Sequence, residues 1–447
     1  MPGKKKSPPT VLLQWQEKLN NRSLKIGIMG MGYVGLPLGL LFAEKGFSVV
    51  GIDPDERRIR VLKQGRSPIR HIKDERVRAV LKKGFFQATA EPAGLKGLDA
   101  VLICVPTPLT KQREPDLSYV ESASQWVANN VGQGCLVILE STTYPGTTRD
   151  VVAPILKKAD WKPGTDIFLA YSPEREDPNN ANFSTASIPK LVGGTDATSC
   201  KLACALYEQI ISKVIPVSTA EIAEAAKLLE NIFRSVNIAM VNELKIVFDR
   251  MGIDIWEVVN AAKTKPFGFM PFYPGPGLGG HCIPIDPFYL TWKAREFDIS
   301  TKFIELAGEV NTHMPYFVVS KLQDALGRSG KSLQGSRVVL LGLAYKRDVD
   351  DFRESPTLKL MEILERHQCR VEYHDPFILK FPGDYHFPNL KPRKSRPFTQ
   401  RTFTAADAVL ICTDHSNVDY RALSQWARLI VDTRNVLPPD GKKIFRA

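Results

Sequence analysis

The feature that most constrains the fold is a glycine-rich turn near the start of the chain. An apolar run over residues 24–29 leads directly into Gly30, Gly32 and Gly35, which have the spacing G-x-G-x-x-G. The run predicts a buried parallel strand, and the glycines predict a tight turn that opens a helix. A second apolar run then ends in Asp53. The order strand, turn, helix, strand and acid predicts a dinucleotide-binding βαβ unit.

The acid at the end of the second run favours NAD over NADP. Asp53 lies where a carboxylate would reach the ribose hydroxyls of an adenosine, and it would repel a 2′-phosphate. Arg58 leaves NADP open, although a cation there can equally stack on adenine. A tight turn without a ligand is the alternative for a glycine pattern alone, but the matching strands, helix and acid favour the cofactor site.

A second informative segment, residues 279–286, reads Gly-Gly-His-Cys-Ile-Pro-Ile-Asp. A nucleophilic thiol combined with a hydride acceptor can carry an alcohol through an aldehyde to an acid, because the thiol holds the aldehyde covalently between two oxidations. Cys282 and the dinucleotide site together therefore predict a four-electron dehydrogenase. Taken alone, the cysteine would more often be an inert buried thiol.

Length and composition limit the possible classes of protein. The 447 residues, 43% of them apolar, are enough for two to three domains. The net charge of +12 suggests anionic partners, but the Lys and Arg residues are scattered, which disfavours nucleic acid. No signal peptide or apolar run of roughly 20 residues is present, so we expect a soluble, cytoplasmic protein without a membrane partner. Seven cysteines without C-x-x-C spacing predict reduced thiols and no metal site.

The chain pattern predicts an α/β fold with two Rossmann-like doubly wound domains joined by a long central helix. Strand and helix signals alternate up to residue 218, and the segment 223–250 then has helical periodicity without Pro or Gly. The last third repeats the opening pattern, with strands that end near Gly342 and Asp375, and it includes an irregular surface insertion over 381–403. The predicted boundaries are a basic tail and short helix (1–20), a NAD-binding domain (21–218), a central helical dimerisation domain with the cysteine loop (219–328) and a second Rossmann-like domain (329–447).

Several polar residues lie where ligands bind in such folds. Thr107, Thr142 and Glu174 follow predicted strands, and loops at strand carboxyl ends hold ligands in parallel sheets. Lys227 and Asn231 are four residues apart and share a helix face, although such a pair is often only a solvated surface contact.

Six motifs in order resemble the UDP-glucose/GDP-mannose dehydrogenase family, over about residues 24 to 434. The motifs are GMGYVGLP at 30–37, VPTP at 105–108, SPER at 172–175, Lys227-x-x-x-Asn231, GGHC at 279–282 with Asp286, and DDFRESP at 350–356. The resemblance implies that the first Rossmann domain binds NAD, that the second binds a UDP-sugar, and that the central helix forms a homodimer.

The resemblance also implies the reaction. It is the NAD-dependent four-electron oxidation of C6 of a UDP-N-acetylhexosamine to the uronic acid, through a cysteine thiohemiacetal and thioester. Residues 279–287 and 413–416 are similar to the branch acting on UDP-N-acetylhexosamines, above all UDP-N-acetylglucosamine. Enzymes acting on UDP-glucose typically have Lys where this chain has Ile285, which favours the N-acetylhexosamine branch. UDP-glucose and UDP-N-acetylmannosamine are the alternative substrates. The family often uses an Arg from the partner subunit where this chain has Lys263 and Lys265.

Site residues carry over from the family motif by motif. The implied catalytic residues are Cys282, Lys227, Asp286, Glu174, Asn231 and Thr142. The implied NAD contacts are Gly30, Gly32, Tyr33, Val34, Gly35, Asp53, Arg58, Thr107, Thr142 and Arg353. The implied substrate contacts are Glu174, Arg175, Lys227, Asn231, Phe272, Tyr273, Gly279, His281 and Lys346.

The implied roles follow from the chemistry of each side chain. Lys227 would stabilise the developing alkoxide and the hemiacetal oxyanion, and Asn231 would add a hydrogen bond. Asp286 and Glu174 would position or deprotonate water, with Thr142 holding the water, and either carboxylate could serve either step.

Three other functions fit part of the sequence. A 3-hydroxyacid dehydrogenase shares the Lys-x-x-x-Asn pair, but it would need neither the thiol nor a second nucleotide domain. A short-chain epimerase or dehydratase is suggested by Tyr289-x-x-x-Lys293, although its catalytic Tyr would lie nearer the glycine turn. A non-enzymatic nucleotide-sugar sensor would have no use for Lys227, Cys282 and Asp286 together.

Overall fold

The structure is a computed structural model that describes residues 8–69, 72–110, 112–175, 185–280 and 282–447. These residues divide into two compact units. The first unit contains the described residues up to Glu230 together with residues 292–298. The second unit contains the remaining described residues from Asn231 onwards. The division falls inside one helix.

Eight strands form the sheet of the first unit. They are β1 (Lys25–Met29), β2 (Ser48–Ile52), β3 (Phe86–Thr89), β4 (Ala100–Ile103), β5 (Leu136–Leu139), β6 (Phe168–Tyr171), β7 (Lys190–Gly194) and β8 (Val214–Val217). Their order is β3-β2-β1-β4-β5-β6-β7-β8, and β6 and β7 are the antiparallel pair. Strands β4, β5 and β6 are buried throughout, as apolar runs predict for a sheet with both faces covered.

Helices cover this sheet. They are α1 (Pro8–Asn20), α2 (Gly35–Glu44), α3 (Glu56–Lys63), α4 (Asp74–Lys82), α5 (Ser118–Asn130), α6 (Ala153–Lys158) and α7 (Ala197–Tyr207). A π-helical turn over Thr148–Val152 leads into α6. The two sides of the sheet carry separate apolar cores, one packed around α2 and α7 and the other around α5 and α6.

Strand direction determines which loops of the first unit share an edge. Strands β1, β4, β5 and β6 are parallel, so the loops that follow them lie at one edge of the sheet. Because β7 runs antiparallel to β6, its first residue, Lys190, lies at this edge too. The loop after β7, which contains Asp196, lies at the opposite edge.

The long helix α8 (Ala220–Met251) runs from the first unit into the second. Its 32 residues span about 48 Å at 1.5 Å per residue. It begins three residues earlier and ends one residue later than the predicted segment 223–250. Gly252 follows with φ +72°, a left-handed conformation that suits a helix end. Helices α9 (Ile255–Ala262), α10 (Asp286–Ala294) and α11 (Lys302–Arg328) come next.

The second unit contains a five-stranded parallel sheet. Its elements are β9 (Arg337–Leu341), α12 (Pro356–Arg366), β10 (Arg370–His374), β11 (Lys380–Phe381), β12 (Arg393–Lys394), α13 (Gln400–Thr404), β13 (Ala408–Ile411), α14 (Tyr420–Trp426), β14 (Ile430–Asp432) and β15 (Ile444–Arg446). The sheet order is β10-β9-β13-β14-β15, while β11 and β12 pair separately. The prediction of two Rossmann-like sheets and a long helix is confirmed.

The prediction of an irregular surface insertion over 381–403 is wrong in part. The stretch forms the antiparallel pair β11 and β12 and the start of α13, and it buries Phe381, Leu390 and Phe403. Phe403 stacks on Trp426, with the centroids of the two rings 6.4 Å apart. Phe403 thus has a partner in a later helix, which the local Pro, Lys and Arg content does not reveal.

An ion pair is buried at the edge of the first sheet where the loops after β1, β4, β5 and β6 lie. Lys190 Nζ donates to Glu140 Oε2 at 2.8 Å, and the Tyr207 hydroxyl donates to the other oxygen. The two charged side chains are 6% and 0% exposed. Burial raises the pKa of Glu140 even though a cation lies beside it.

We expect Lys190→Met to lower the free energy of unfolding by about 3–5 kcal/mol, because it leaves a buried carboxylate without its cation. Arg78→Met is the matched control, since Arg78 pairs with Glu75 at the surface, where such a pair contributes about 1 kcal/mol or less. Denaturant unfolding followed by circular dichroism measures both variants. Equal stability of the two would contradict the prediction.

Candidate active site

The glycine turn after β1 is tight at its first and third glycines. Gly30 has φ +93°, and a Cβ there would lie 2.5 Å from the Cys104 carbonyl oxygen. A Cβ at Gly35 would lie 1.9 Å from the Gly30 carbonyl oxygen. Gly32, by contrast, faces open space, with no described atom within 4 Å of a Cβ. A diphosphate can therefore approach the backbone at Gly32, at the start of α2, where helix N–H groups favour an anion.

Asp53 joins this turn to the second strand. Its Oδ2 accepts from Met31 N at 2.8 Å and from Arg58 Nη1 at 2.6 Å, and its Oδ1 accepts from Asp55 N at 2.9 Å. The predicted cofactor residues Asp53 and Arg58 therefore form an ion pair in which the acid is buried and the cation is 37% exposed. Since Arg58 is paired with Asp53, its charge is offset by the acid, which further favours NAD.

The loops after β4 and β5 are bound to each other. Thr107 Oγ1 donates to the Thr142 carbonyl oxygen at 2.8 Å, and Ser141 Oγ donates to the Val105 carbonyl oxygen at 2.7 Å. The two predicted threonines therefore lie together at the sheet edge formed by the carboxyl ends of β4 and β5. Both side chains are half-buried.

Glu174 and Arg175 follow β6 at the same edge. Glu174 Oε1 accepts from Arg175 N at 2.7 Å. The Arg175 guanidinium pairs with Glu230 at 2.6 Å and donates to the Pro189 carbonyl oxygen at 2.7 Å. Arg175 therefore ties the loop to α8, in addition to the substrate contact predicted for it.

Helix α8 presents a buried polar face that begins with Glu224 and continues through Lys227 and Asn231. Lys227 and Asn231 are 8% and 5% exposed, so the alternative of a solvated surface pair is excluded. Lys227 belongs to the first unit and Asn231 to the second.

In the second unit, Asn231 is bound to Asp286. Asn231 Nδ2 donates to Asp286 Oδ2 at 2.5 Å, and Asp286 is buried at the start of α10. Asp286 N donates to the Cys282 carbonyl oxygen at 2.8 Å, so the acid lies one turn from the half-buried thiol. The structure thus brings three predicted catalytic residues together, with Asn231 holding Asp286.

The glycines before the thiol pack against the loop after β9. A Cβ at Gly279 would lie 2.7 Å from Tyr345 Cβ, and a Cβ at Gly280 would lie 2.9 Å from the Tyr345 ring. Gly280 N donates to the Arg353 carbonyl oxygen at 3.2 Å. The predicted substrate residue Lys346, half-buried, comes directly after Tyr345. His281 lies outside the described residues.

The loop that carries Lys346 is held by a buried carboxylate and an imidazole. Asp375 Oδ2 accepts from Leu343 N and Ala344 N at 2.7 and 2.9 Å and contacts His415 Nε2 at 3.1 Å. Asp348 N donates to His415 Nδ1, so Nε2 carries the proton. Burial alone would raise the pKa of Asp375, but the hydrogen bond from His415 and then those from the backbone donors lower it below its usual range.

The other predicted contacts of the second unit lie on its surface. Phe272 packs edge-on against Phe233 at 5.7 Å, and Tyr273 stacks on Trp256 at 5.3 Å. The Arg353 guanidinium pairs with Asp351.

Sequence reasoning missed Arg434. Arg434 is half-buried, and its guanidinium lies beside Gly275, where a Cβ would lie 2.8 Å from Arg434 Nη1. Its Nε donates to the Cys412 carbonyl oxygen at 2.8 Å, and burial lowers its pKa. The signal was available, because Arg434 follows β14 at the same sheet edge as the Lys346 loop.

Three sequence profiles of one family match the chain in order. The profile for the NAD binding domain of the UDP-glucose/GDP-mannose dehydrogenase family matches residues 24–211, the central domain matches 221–313, and the UDP binding domain matches 339–439. The chain belongs to the UDP-glucose/GDP-mannose dehydrogenase family. It is accordingly an NAD-dependent UDP-sugar dehydrogenase.

Relatives within the UDP-glucose/GDP-mannose dehydrogenase family align over almost the whole chain. A UDP-N-acetyl-D-glucosamine 6-dehydrogenase from Pseudomonas aeruginosa is 36% identical over 94% of this chain and 98% of its own. A UDP-N-acetyl-D-mannosamine dehydrogenase from Pyrococcus horikoshii is 34% identical over 95% of this chain and 98% of its own. The solved structure of a UDP-D-ManNAc dehydrogenase from Pyrococcus horikoshii covers 95% of this chain and 99% of its own, with a TM-score of 0.85 and 33% identity.

The Tyr289-x-x-x-Lys293 spacing, which suggested an epimerase or dehydratase, is accounted for by packing and an ion pair. Tyr289 is fully buried, and Lys293 pairs with Glu296 at 2.6 Å, so the epimerase-like spacing has structural causes.

Among the described residues, no group of three His, Cys, Asp or Glu side chains could hold a metal ion. No helix in the described part of the chain is long and apolar enough to span a membrane.

Two glycine substitutions separate cofactor binding from folding. We expect Gly32→Ala to fold normally but to bind NAD about tenfold more weakly, since its Cβ would occupy the space open to the diphosphate. Gly35→Ala should instead destabilise the protein, because its Cβ overlaps the Gly30 carbonyl. Calorimetric NAD titration and thermal unfolding measure the two effects. Normal NAD affinity in a folded Gly32→Ala variant would show that the turn does not meet the cofactor.

Proposed function

We propose that the enzyme oxidises C6 of a UDP-N-acetylhexosamine to the uronic acid in a four-electron reaction, with UDP-N-acetylglucosamine as the preferred substrate. The observation that carries the proposal is the contact between Asn231 and Asp286 one turn from the half-buried Cys282 thiol. The names of relatives include UDP-N-acetylglucosamine, UDP-N-acetylmannosamine and NDP-N-acetylgalactosaminuronic acid dehydrogenases. The mannosamine epimer and UDP-glucose are the alternative substrates in this proposal.

Substrate and cofactor are held by different sets of residues in this proposal. The glycine turn, Asp53 and the threonine loops would hold two NAD molecules in turn, and each would supply the hydride acceptor for one oxidation. The UDP moiety would be held in the second unit by Lys346 and Arg434, because cations suit a diphosphate.

Covalent catalysis by Cys282 then links the two oxidations. The C6 alcohol loses a hydride and a proton and becomes an aldehyde. The Cys282 thiolate adds to the aldehyde carbon, and Lys227 stabilises the negative oxygen of the resulting thiohemiacetal. Loss of a second hydride from this carbon gives a thioester. Water attacks the thioester, the C–S bond breaks, and the uronate and thiolate are released.

Hydrolysis requires a positioned water. Asp286 and Glu174 are the candidate bases, and Thr142 would hold the water. Asn231 can act by fixing the Asp286 carboxylate, a role that its hydrogen bond supports. This adds to the direct contact with the reacting oxygen that the sequence predicted for it.

The assembly and domain roles belong to the same proposal. Exposed apolar residues recur along one face of α8 at Leu229, Phe233, Met240 and Val247, and this face would be buried in a homodimer. Residues 21–218 would bind NAD, 219–328 would dimerise and carry the thiol, and 329–447 would bind the UDP-sugar.

None of the seven cysteines, all in the described part of the chain, forms a disulfide, which fits a reducing cytoplasm.

A substrate panel tests the proposed function. We expect UDP-N-acetylglucosamine to be oxidised faster than UDP-glucose, UDP-N-acetylgalactosamine or UDP-N-acetylmannosamine, with about two NADH formed per sugar because the thiol retains the aldehyde. Absorbance at 340 nm and the product mass measure this. A ratio of one with free aldehyde would overturn the covalent scheme, and a faster mannosamine epimer would overturn the substrate.

Two variants test the covalent step. Cys282→Ala should bind NAD and UDP-sugar nearly normally but should lose acid formation by about three orders of magnitude or more, whereas the half-buried Cys200→Ala serves as the matched control with normal turnover. Glu174→Gln should accumulate an adduct on Cys282, since hydride transfer does not need the oriented water. Intact-protein mass spectrometry detects the adduct. Acid release by Glu174→Gln at the parent rate would make Asp286 the hydrolytic base.

A further inference from the structure

Glu224 is a buried carboxylate that none of the steps above uses. Its Oε2 accepts from Gly146 N at 2.6 Å, and its Oε1 accepts from Thr148 N at 2.9 Å and from Thr148 Oγ1 at 2.6 Å. All three donors lie in the segment that joins β5 to α6. Glu224 itself lies in the first turns of α8 and is fully inaccessible to water.

This contact connects two predicted catalytic elements of the first unit. Thr142 precedes Gly146 by four residues in the β5 loop, and Lys227 follows Glu224 by three residues on the same helix face. The other end of the loop is already fixed, because Thr107 binds the Thr142 carbonyl oxygen. The short segment that carries Thr142 is thus anchored at both ends.

The carboxylate is costly at this position. Burial raises the pKa of Glu224 to about 7, although three donors at the start of a helical segment favour the ionised form. A neutral side chain could bind one donor without that cost. An ionised carboxylate, however, is the one acceptor here that can accept from all three donors and donate to none.

We propose that Glu224 is a positioning residue for the oxidation, which holds the Thr142 loop in register with Lys227. The proposal rests on the proposed function only through the roles of Thr142 and Lys227. In Glu224→Gln, an NH2 group replaces one carboxylate oxygen, so a donor faces the donors that this oxygen accepted from. The loop should then shift away from the helix while the sheet remains intact.

A matched control exists in the same unit. Asp196 also accepts from two backbone N–H groups, of Thr198 and Ser199, and from the Ser199 hydroxyl. It caps α7, and it lies at the opposite edge of the sheet because β7 is antiparallel to β6. Asp196→Asn therefore removes the same kind of contact without touching the Thr142 loop.

The experiment compares full-length Glu224→Gln, Thr148→Val and Asp196→Asn above pH 8, where the Glu224 carboxylate is ionised. Thr148→Val removes one donor only and keeps the proposal testable if Glu224→Gln folds poorly. We expect kcat to fall about tenfold or more in Glu224→Gln and by a smaller factor in Thr148→Val, with KM for the UDP-sugar within about threefold of the parent value. Asp196→Asn should lose thermal stability but keep the parent kcat, and Glu224→Asp should recover part of the activity.

The outcomes that would overturn the proposal are distinct. Parent-level kcat in Glu224→Gln, or equal losses of kcat in Glu224→Gln and Asp196→Asn at equal loss of stability, would mean that Glu224 is structural only. Lys227→Met is measured alongside. If Lys227→Met turns over at the parent rate, the proposed mechanism fails and the positioning role fails with it. If Lys227→Met is inactive while Glu224→Gln is fully active, the positioning role alone is wrong.

Discussion

Buried carboxylates that accept hydrogen bonds from backbone N–H groups hold the functional loops of this enzyme in place. Asp53 binds the glycine turn, Asp375 binds the loop that carries Lys346, and Glu224 binds the loop after β5. Each accepts from at least two backbone donors that the fold fixes. A buried acceptor that loses its partner costs about 1–3 kcal/mol, so these loops cannot move far without a matching loss of stability. Rigid loops at a sheet edge suit the proposed reaction, in which two hydride transfers need the same alignment of substrate and cofactor.

The two sheets use the same position differently. In both, an acid at the end of the second strand in the βαβ unit binds the loop after the first strand. The partner of Asp53 is Arg58, a long cation that is partly in solvent, whereas the partner of Asp375 is His415, which is completely enclosed. The first sheet therefore keeps a carboxylate with a neighbour that can rearrange around a ribose. In the second sheet the acid and its partner are fully buried, and in the proposed function cations such as Lys346 contact the anionic ligand.

Features set by residues close in sequence could be predicted. The glycine spacing, the apolar strands and the period of α8 determine local conformation, and the family motifs predicted which residues form the site. Partners far apart in sequence could not be predicted. The spacing of Lys227 and Asn231 predicted the helix face of Asn231, but it did not predict the contact with Asp286, which is 55 residues away. Glu224 likewise binds donors that are 76 and 78 residues away. The buried pair of Lys190 and Glu140 is likewise visible only once β7 is known to run antiparallel to β6.

The polar face of α8 also limits how this gene can change in evolution. Glu224, Lys227 and Asn231 keep to one side of the helix because they are three and four residues apart. Inserting or deleting a single codon between the first and last of them would rotate one part of the face by about 100° relative to the other. Substitutions elsewhere on the helix can accumulate one at a time, but its length between these positions cannot vary. Divergence among enzymes of this design should therefore be free of gaps in that segment, even where the sequences around it differ widely.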